Sequence, residues 1–371
     1  MKLQGLDGLR GYMCLWVIIS HTVTMAVLPL YKNIGIGRLI TNGSFAVDVF
    51  IILSGFVITF LITQKKETYN TFIYRRVLRL FPTYIFALIL SIFIFNLSIE
   101  FLYSLPWEHP KTENRLEHFT EAKKYFIENI ISHLTLFHGI IPNSIIPNGA
   151  YAIIGQAWSL SLEWQFYLIS PWLIIFIQKR SNFSRFIFII CLMVLEVIMA
   201  KIVMGHKSFI FANITLFLFG ILSCDLYQKF TQGEITERKF VIDTIYWSLL
   251  FAFYKMLRYN ALYLLPFLIW NLSLFTLVCK SNFLGKVFFL RVLCNNLSLK
   301  FGRISYSAYC IHLIPLYFIG YLLVNSFNIQ SKLLYSIIML IVPLFFTIYL
   351  SNLMYKYIEL PSINFGKRYK K

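Results

Sequence analysis

The stretch FAVDVFIILSGFVITFLIT, residues 45–63, decides the fold class of this protein. It has a single charged side chain, Asp48, in a run of apolar and small residues. A helix crosses a bilayer with about 20 mostly apolar residues, so this stretch predicts a membrane-spanning helix. Of the 371 residues in the chain, 58% are hydrophobic and only 13% are charged, against about 25% charged in soluble domains. The sequence therefore predicts an all-α, polytopic membrane protein.

Further apolar stretches along the chain are long enough to be membrane spans. The ten candidates cover residues 12–30, 45–63, 83–98, 160–177, 186–204, 209–228, 241–257, 262–279, 304–324 and 333–355. Segment 284–299 is also apolar, but Lys286 and Arg291 interrupt it, so we expect it to lie at the membrane interface. Because no repeat or Pro/Gly-rich linker divides the chain, we expect residues 1–371 to form a single membrane domain without an appended soluble domain.

The basic residues are unevenly distributed among the connections. If the N-terminus is cytoplasmic, the inner connections hold 23 of the 34 Lys and Arg residues and the outer ones hold 11. Cytoplasmic loops carry such an excess, so both termini are expected in the cytoplasm. The net charge of +18 then needs no nucleic-acid partner. The longest connection, about 99–159, faces outward, and it carries six glutamates and an amphipathic pattern over 119–137. We expect an acidic loop over the outer mouth, under which a substrate enters.

Two ionisable residues share one face of the first predicted span. Arg10 and His21 are eleven positions apart, which is three helical turns plus about 20°, or about 16 Å along the axis. Imidazole can act as a general base on a hydroxyl near neutral pH, and a guanidinium suits a phosphate or carboxylate. The alternative is an arginine that reaches the membrane surface and a histidine hydrogen-bonded within the bundle. The spacing alone does not decide between these interpretations.

A basic cluster precedes the third span. The stretch FIYRRVLRLFP, residues 72–82, places Arg75, Arg76 and Arg79 on neighbouring positions of a helix face. Such a cluster would bind a phosphorylated ligand such as a coenzyme. On its own, the cluster favours the simpler interpretation of cytoplasmic positive charge in contact with anionic lipid.

A buried carboxylate lies in AWSLSLEWQFY, residues 157–167. Glu163 would sit in the outer half of its span, with Ser159 one turn away. Charge inside the hydrocarbon is costly, so such a residue is a functional candidate. Glu163 either orients His21, acts on its own, or pairs structurally with a cation of another helix.

Other intramembrane polar groups are less informative. Asp48 precedes Ser54-Gly55, a pair that favours close helix packing. His312 either lines the same cavity as His21 or is a core histidine. Glu196 and Asp243 have no supporting neighbours, and no role is assigned to them.

The sequence predicts no metal site. Four histidines of the outer loop (109, 118, 133 and 138) lack an H-E-x-x-H pattern. The six cysteines have no C-x-x-C pair, and we expect them to be small buried apolar residues.

Several of these stretches together resemble acyltransferase family 3, the integral-membrane acyltransferases that include bacterial O-antigen and exopolysaccharide O-acetylases. The resemblance runs over essentially the whole chain. The segments that carry it, in order, are LDGLRGYMCLWVIISH (6–21), DVFIILSGFVI (48–58), RRVLRLFP (75–82), WSLSLEWQFYL (158–168), ISYSAYCIHLIP (304–315) and YIELPSINFGKR (357–368).

The resemblance implies a membrane-embedded O-acyltransferase in the bacterial inner membrane. An acetyl or other short acyl group would pass from cytoplasmic acyl-CoA, with acetyl-CoA as co-substrate, to a hydroxyl of an envelope glycan such as O-antigen. No metal and no nucleic acid would take part. The resemblance does not decide whether the protein forms a homo-oligomer. The site residues it implies are His21, Arg10 and Glu163 for catalysis, Arg75, Arg76 and Arg79 for the coenzyme, and Asp48, Ser159, Tyr306 and His312 for the substrate.

Two other classes of protein fit the intramembrane charges. A proton-coupled transporter of a small anionic or sugar substrate carries such groups, but the chain has no pair of matching interrupted halves. A structural subunit of a glycan-assembly complex would depend on helix packing and not on His21.

Overall fold

The computed structural model describes residues 4–29, 35–65, 67–281 and 285–368, and within these ranges it contains helices and no strands. Residue 30 of the predicted span 12–30 and residue 284 of the predicted interfacial segment lie outside the described residues. The helices are α1 Gly5–Met25, α2 Ile36–Ile40, α3 Ser44–Gln64, α4 Tyr69–Phe93, α5 Phe95–Ser104, α6 Pro110–Lys124, α7 Phe126–Leu134, α8 Trp158–Gln178, α9 Asn182–Ile198, α10 Ile214–Thr231, α11 Glu237–Arg258, α12 Leu265–Val278, α13 Lys286–Cys294, α14 Asn296–Ile311, α15 Leu313–Tyr321, α16 Lys332–Met354 and α17 Leu360–Arg368.

The predicted all-α, multi-pass architecture is confirmed. Within the described ranges, seven helical segments are long and apolar enough to cross a membrane, and an eighth span results if α14 and α15 are one bent span. The seven are Ser44–Gln64, Tyr69–Phe93, Gly155–Gln178, Phe183–Met204, Glu237–Arg258, Ala261–Val278 and Lys332–Arg368. Helices α1 and α10 cover two further predicted spans but are not in this set. The total of ten spans and the cytoplasmic termini stay predictions.

Three predicted helices differ from the observed ones. The span 83–98 belongs to α4, which starts earlier, at Tyr69, and a new helix, α5, begins at Phe95. The amphipathic segment 119–137 is divided between α6 and α7 at Tyr125, whose φ and ψ of −115° and 41° are not helical.

The span 304–324 is broken at His312, where α14 and α15 meet at 51°. A proline ring clashes with the carbonyl four residues earlier. For Pro315 that carbonyl belongs to Ile311, the last residue of α14. The break therefore places His312 at a bend inside the bundle, where its side chain is fully buried.

Glycines allow the central helices to pack backbone against backbone. A Cβ atom on Gly55 of α3 would lie 2.4 Å from the carbonyl oxygen of Phe217 in α10, and a Cβ on Gly220 would lie 2.1 Å from that of Ile52. Small residues permit such close approach in membrane bundles. The close packing expected at Ser54-Gly55 is thus present, and α10 is buried along most of its length.

A buried ion-pair network joins α9, α10 and α11. The carboxylate of Glu196 is fully buried, 2.8 Å from Nζ of Lys255 and 2.5 Å from Nη1 of Arg258. It also accepts hydrogen bonds from the backbone N–H and the hydroxyl of Thr215, at 2.9 and 2.7 Å. Glu196 therefore has a structural role in this network, which its sequence neighbours do not indicate. Asp243, by contrast, forms an i,i+4 pair with Lys239 at 3.5 Å.

We expect Glu196→Ala to destabilise the protein by about 3–5 kcal/mol, because it leaves Lys255 and Arg258 as buried charges without a carboxylate. Thermal unfolding of the purified protein in one detergent would measure this. Asp243→Ala is the matched control and should change stability by less than about 1 kcal/mol, because its pair is more exposed. Equal losses in the two variants would contradict the prediction.

Candidate active site

Two cavities enter the helix bundle. The larger, of about 650 Å³, we call the arginine cavity. Its charged and hydroxyl-bearing lining residues include Asp7, Arg10, Ser54, Lys65, Arg75, Arg76, Arg79, Ser159, Glu163, Tyr167, Tyr306, Tyr309 and Lys367. Six of these side chains are cationic and two are carboxylates. The structure thus brings together all four arginines that the sequence singled out, and the excess of positive charge suits an anionic ligand.

The arginines of α4 are held in different ways. Arg75 pairs with Glu67, and its Nε donates to the carbonyl of Gly366 at 3.2 Å. The guanidinium of Arg76 lies 5.6 Å from the ring centres of both Phe72 and Tyr167. Its Nε is buried without a hydrogen-bond partner among the described residues. Arg76 is therefore positioned by aromatic rings and keeps donor capacity for a ligand.

Arg10 lies on α1 beside the basic helix. Its Nη1 donates to Oδ1 of Asp7 at 2.9 Å. Tyr306, a predicted substrate-binding residue, donates its hydroxyl hydrogen to the carbonyl of Leu80 at 2.7 Å. Both side chains line the arginine cavity, so they lie with the α4 arginines and not with His21.

Glu163 also faces the arginine cavity. Its Oε1 accepts from the hydroxyl of Ser54 at 3.1 Å and from the hydroxyl of Tyr167, one turn along α8. These are its hydrogen-bond partners in the part of the chain that is described. His21 lines the other cavity, so Glu163 does not orient His21 directly, and that hypothesis of the sequence analysis finds no support.

The smaller cavity, of about 300 Å³, we call the histidine cavity. His21 of α1 is half-buried there, and its Nδ1 lies 2.7 Å from Nη2 of Arg115 in α6. The same Nη2 donates to the hydroxyl of Thr24 at 3.2 Å. The ring of His312 is centred 5.2 Å from that of His21, and its Nδ1 lies 2.8 Å from the carbonyl oxygen of Tyr309. The two intramembrane histidines therefore do meet.

The expected acidic mouth is wrong for this cavity. Among the described residues, the charged side chains that line it are those of Lys111 and Arg115, and no Asp or Glu lines it. Positions 111, 115 and 118 recur at helical spacing and share one face of α6. Glu113 and Glu117 are exposed. Helix α6 thus presents its basic face to the cavity.

Arg115 is the site residue that the sequence analysis missed. The predicted amphipathic helix began at residue 119, whereas α6 begins at Pro110. Proline at the first helical position is a start signal, and the side chain of His109 accepts from the backbone N–H of Lys111 at 3.1 Å as a cap. A helix predicted to start at residue 110 would have placed Arg115 on the same helix face as Lys111.

The two cavities share Val47 and Tyr309 in their linings. The hydroxyl of Tyr309 donates to the carbonyl of Gln156 at 3.0 Å and lies 2.7 Å from the hydroxyl of Ser159. Ser159, a predicted substrate-binding residue, is therefore at the junction. We call this junction the neck. The contacts with Gln156 and Ser159 hold the side chain of Tyr309 at the neck.

Asp48 and His312 are the two predicted substrate-binding residues that line neither cavity. Asp48 is 5% exposed. The negative charge of Asp48 acts instead on Lys207. The ammonium of Lys207 lies 4.7 Å from the ring centre of Tyr259 and donates to the hydroxyl of Tyr263 at 3.3 Å. Asp48 therefore acts through its charge on a half-buried lysine and lines neither cavity.

Among the described residues, no group of three or more His, Cys, Asp or Glu side chains could hold a metal ion. His133 and His138 stack with ring centres 4.0 Å apart and bond to backbone carbonyls of Asn129 and Ala157. All six cysteines are free, and four of them are buried.

The helices and the buried ionisable groups define a multi-pass helical membrane protein with two cavities that share Val47 and Tyr309 in their linings. The chain belongs to the acyltransferase family whose model, Acyl_transf_3, is described as "Acyltransferase domain" and matches residues 3–352. This confirms the family suggested by the ordered sequence segments.

Relatives of known sequence agree with this family. The chain is 23% identical over 397 aligned positions to the O-acetyltransferase OatA of Staphylococcus aureus (strain NCTC 8325 / PS 47), an alignment that covers 97% of this chain and 57% of OatA. It is 31% identical over 170 positions to an uncharacterized protein of Haemophilus influenzae, which covers 45% of this chain and 61% of that protein. The chain thus spans just over half the length of OatA. No solved structure matches it.

Proposed function

We propose that this chain is a membrane-embedded O-acyltransferase that moves an acetyl group from cytoplasmic acyl-CoA to a hydroxyl of an envelope glycan, such as O-antigen, at the bacterial inner membrane. The observation that carries the proposal is the pair of cavities that meet at Tyr309, one lined by arginines and the other by His21. Family membership and the name of the relative OatA support it.

The arginine cavity suits the donor. Coenzyme A carries several phosphate groups, and guanidinium groups bind phosphate through paired, charge-assisted hydrogen bonds. With its phosphates held near Arg75, Arg76 and Arg79, the thioester end would extend toward the neck. A volume of about 650 Å³ is within the usual range for cofactor-sized ligands.

The histidine cavity suits the acceptor. As the acceptor hydroxyl oxygen forms a bond to the thioester carbonyl carbon, the carbon–sulfur bond breaks. The hydroxyl proton passes to His21, and from there to the departing thiolate, which leaves as free coenzyme A. His21 acts as general base, or it carries the acetyl group briefly on its ring nitrogen. Arg10 and Glu163 line the donor side, so we assign them to the coenzyme and the thioester.

The decisive experiment compares the mass of the surface polysaccharide with and without this gene. A loss of one acetyl group per repeat in the deletion strain, restored by the gene in trans, is the expected result. An unchanged mass, or transport of a sugar by the purified protein in vesicles without any acyl transfer, would favour the transporter.

The neck is expected to select the length of the acyl group. Tyr309→Ala should raise the use of butyryl-CoA relative to acetyl-CoA by about tenfold or more, because removing the ring makes room for two additional methylenes. Tyr309→Phe keeps the ring and should keep the acetyl preference. Competition assays with the two donors would measure the ratio. The same ratio in the alanine variant and the wild type would show that Tyr309 does not limit chain length.

A further inference from the structure

The histidine cavity has a positive charge that no carboxylate of the described residues neutralises. Lys111 and Arg115 line it, and neither forms an ion pair with a carboxylate of the described residues. Nη1 of Arg115 is buried without a hydrogen-bond partner in the described chain. Among the described residues, Nη2 of Arg115 contacts the imidazole of His21 and the hydroxyl of Thr24. A buried guanidinium is normally paired with an anion, so this cavity is built for a negatively charged ligand.

The contact between Arg115 and His21 has a chemical consequence. A guanidinium can only donate hydrogen bonds, so Nδ1 of His21 must be the acceptor and the ring proton must be on Nε2. The only lone pair of the neutral imidazole is then occupied. His21 cannot take a proton from a hydroxyl until Arg115 releases it.

We propose that Arg115 and Lys111 bind an anionic group, a carboxylate or a phosphate, of an acidic acceptor glycan, and that this binding draws Arg115 away from His21. The inference rests on the proposed function and names its acceptor class. The anion gives the guanidinium a better partner than a neutral imidazole. Nδ1 of His21 is then free to accept the hydroxyl proton, so the base becomes active only when an acidic acceptor is in place.

The test uses glycan isolated from the deletion strain, in three forms: untreated, carboxyl-reduced and dephosphorylated. The purified protein in lipid nanodiscs transfers labelled acetyl from acetyl-CoA to each form. We expect one of the two treatments to lower kcat/KM at least about tenfold, as for loss of a hydrogen bond to a charged group. Loss on carboxyl reduction identifies a carboxylate, and loss on dephosphorylation identifies a phosphate. Equal transfer to all three forms overturns the inference but leaves the proposed function intact, whereas no transfer to any form refutes the proposed function itself.

Variants of α6 separate binding from folding. Arg115→Gln should remove the discrimination between treated and untreated glycan, and Arg115→Lys should retain part of it because the charge is kept. Lys111→Met, on the same face of α6, should weaken the discrimination even if Arg115→Gln fails to fold. Lys124→Gln is the matched control, because Lys124 is exposed on the same helix and lines neither cavity. Full discrimination in both Lys111→Met and Arg115→Gln would contradict the inference.

The pH dependence gives an independent readout. Burial and the neighbouring charge of Arg115 lower the pKa of Lys111 to about 8. The ammonium is charged below this value and neutral above it, so transfer to the acidic glycan should fall as the pH rises through about 8. The groups facing Lys111 are the carbonyl of Thr41, Arg115, His21 and His109. Lys111→Met should flatten this decline, and an unchanged decline would overturn the role given to Lys111.

Discussion

Replacing His21 by alanine is expected to lower acetyl transfer by about 100-fold or more, with unchanged amounts of folded protein. A positioned general base contributes about 10² to 10⁴ in rate, and a histidine that carries the acyl group would be needed absolutely. The side chain is half-buried and faces a cavity, so replacing it by alanine removes few packing contacts. Transfer of labelled acetyl to the isolated glycan, and the mass of the host polysaccharide, would measure the loss.

His21→Gln separates chemistry from structure in this prediction. The glutamine carbonyl can still accept a hydrogen bond from Arg115, but the amide can neither take a proton near neutral pH nor carry an acetyl group. We expect this variant to be as inactive as the alanine variant. Near-normal transfer in His21→Gln would mean that His21 only holds Arg115 in place, and the mechanism would have to be abandoned.

The architecture could be predicted because bilayer thickness imposes a simple rule. Each apolar block of about 20 residues must be helical to satisfy its backbone in hydrocarbon, so the multi-pass, all-α class followed from residues such as 45–63. The number of spans could not be predicted in the same way. Pro315 disturbs the next helical turn, so α14 ends at Ile311 and the span is broken there. A hydropathy pattern does not show this break.

The sequence predicts most of the candidate site residues, but the structure divides them between two cavities. Arg10 and His21 lie on one helix, as expected, yet they line different cavities, because eleven residues carry the chain past the neck. One of the three alternatives for Glu163 places it beside His21, but the packing of α3 against α8 gives its carboxylate Ser54 as a partner. The contact of Arg115 with His21 spans 94 positions of sequence. Local patterns carry no information on such a contact.

The connection between α5 and α8 contains helices α6 and α7, and α6 lines the histidine cavity. A base at the end of a membrane cavity is useful only if water is kept from the thioester. Helix α6 covers His21 with Arg115, and the ring of His118 stacks on Tyr151 at 5.5 Å with a 14° angle between the rings. Phe119 packs edge-on against Tyr317 at 5.2 Å. Helix α6 therefore lines the histidine cavity and is not only a connection.

The second large effect is expected at Arg76. Arg76→Ala should raise the KM for acetyl-CoA by about 10- to 100-fold, because a hydrogen bond to a charged group is worth about 1.5–3 kcal/mol. The turnover number should change much less, since Arg76 acts on bound phosphate and not on the reacting carbonyl. Initial rates over a range of acetyl-CoA concentrations would separate the two parameters. Arg76→Lys should recover only part of the affinity, because lysine lacks the planar fork.

A donor that lacks one phosphate shows whether Arg76 binds the coenzyme at all. If Arg76 contacts the 3′-phosphate, the wild-type protein should use acetyl-dephospho-CoA as poorly as the Arg76→Ala variant uses acetyl-CoA. The Arg76→Ala variant should use the two donors equally well. Arg180→Ala is the matched control, because Arg180 is exposed at the end of α8 against Phe176 and lines neither cavity. If Arg76→Ala and Arg180→Ala have the same KM as the wild type, the basic cluster has no part in donor binding. The simpler interpretation, that these arginines contact anionic lipid at the membrane surface, would then hold.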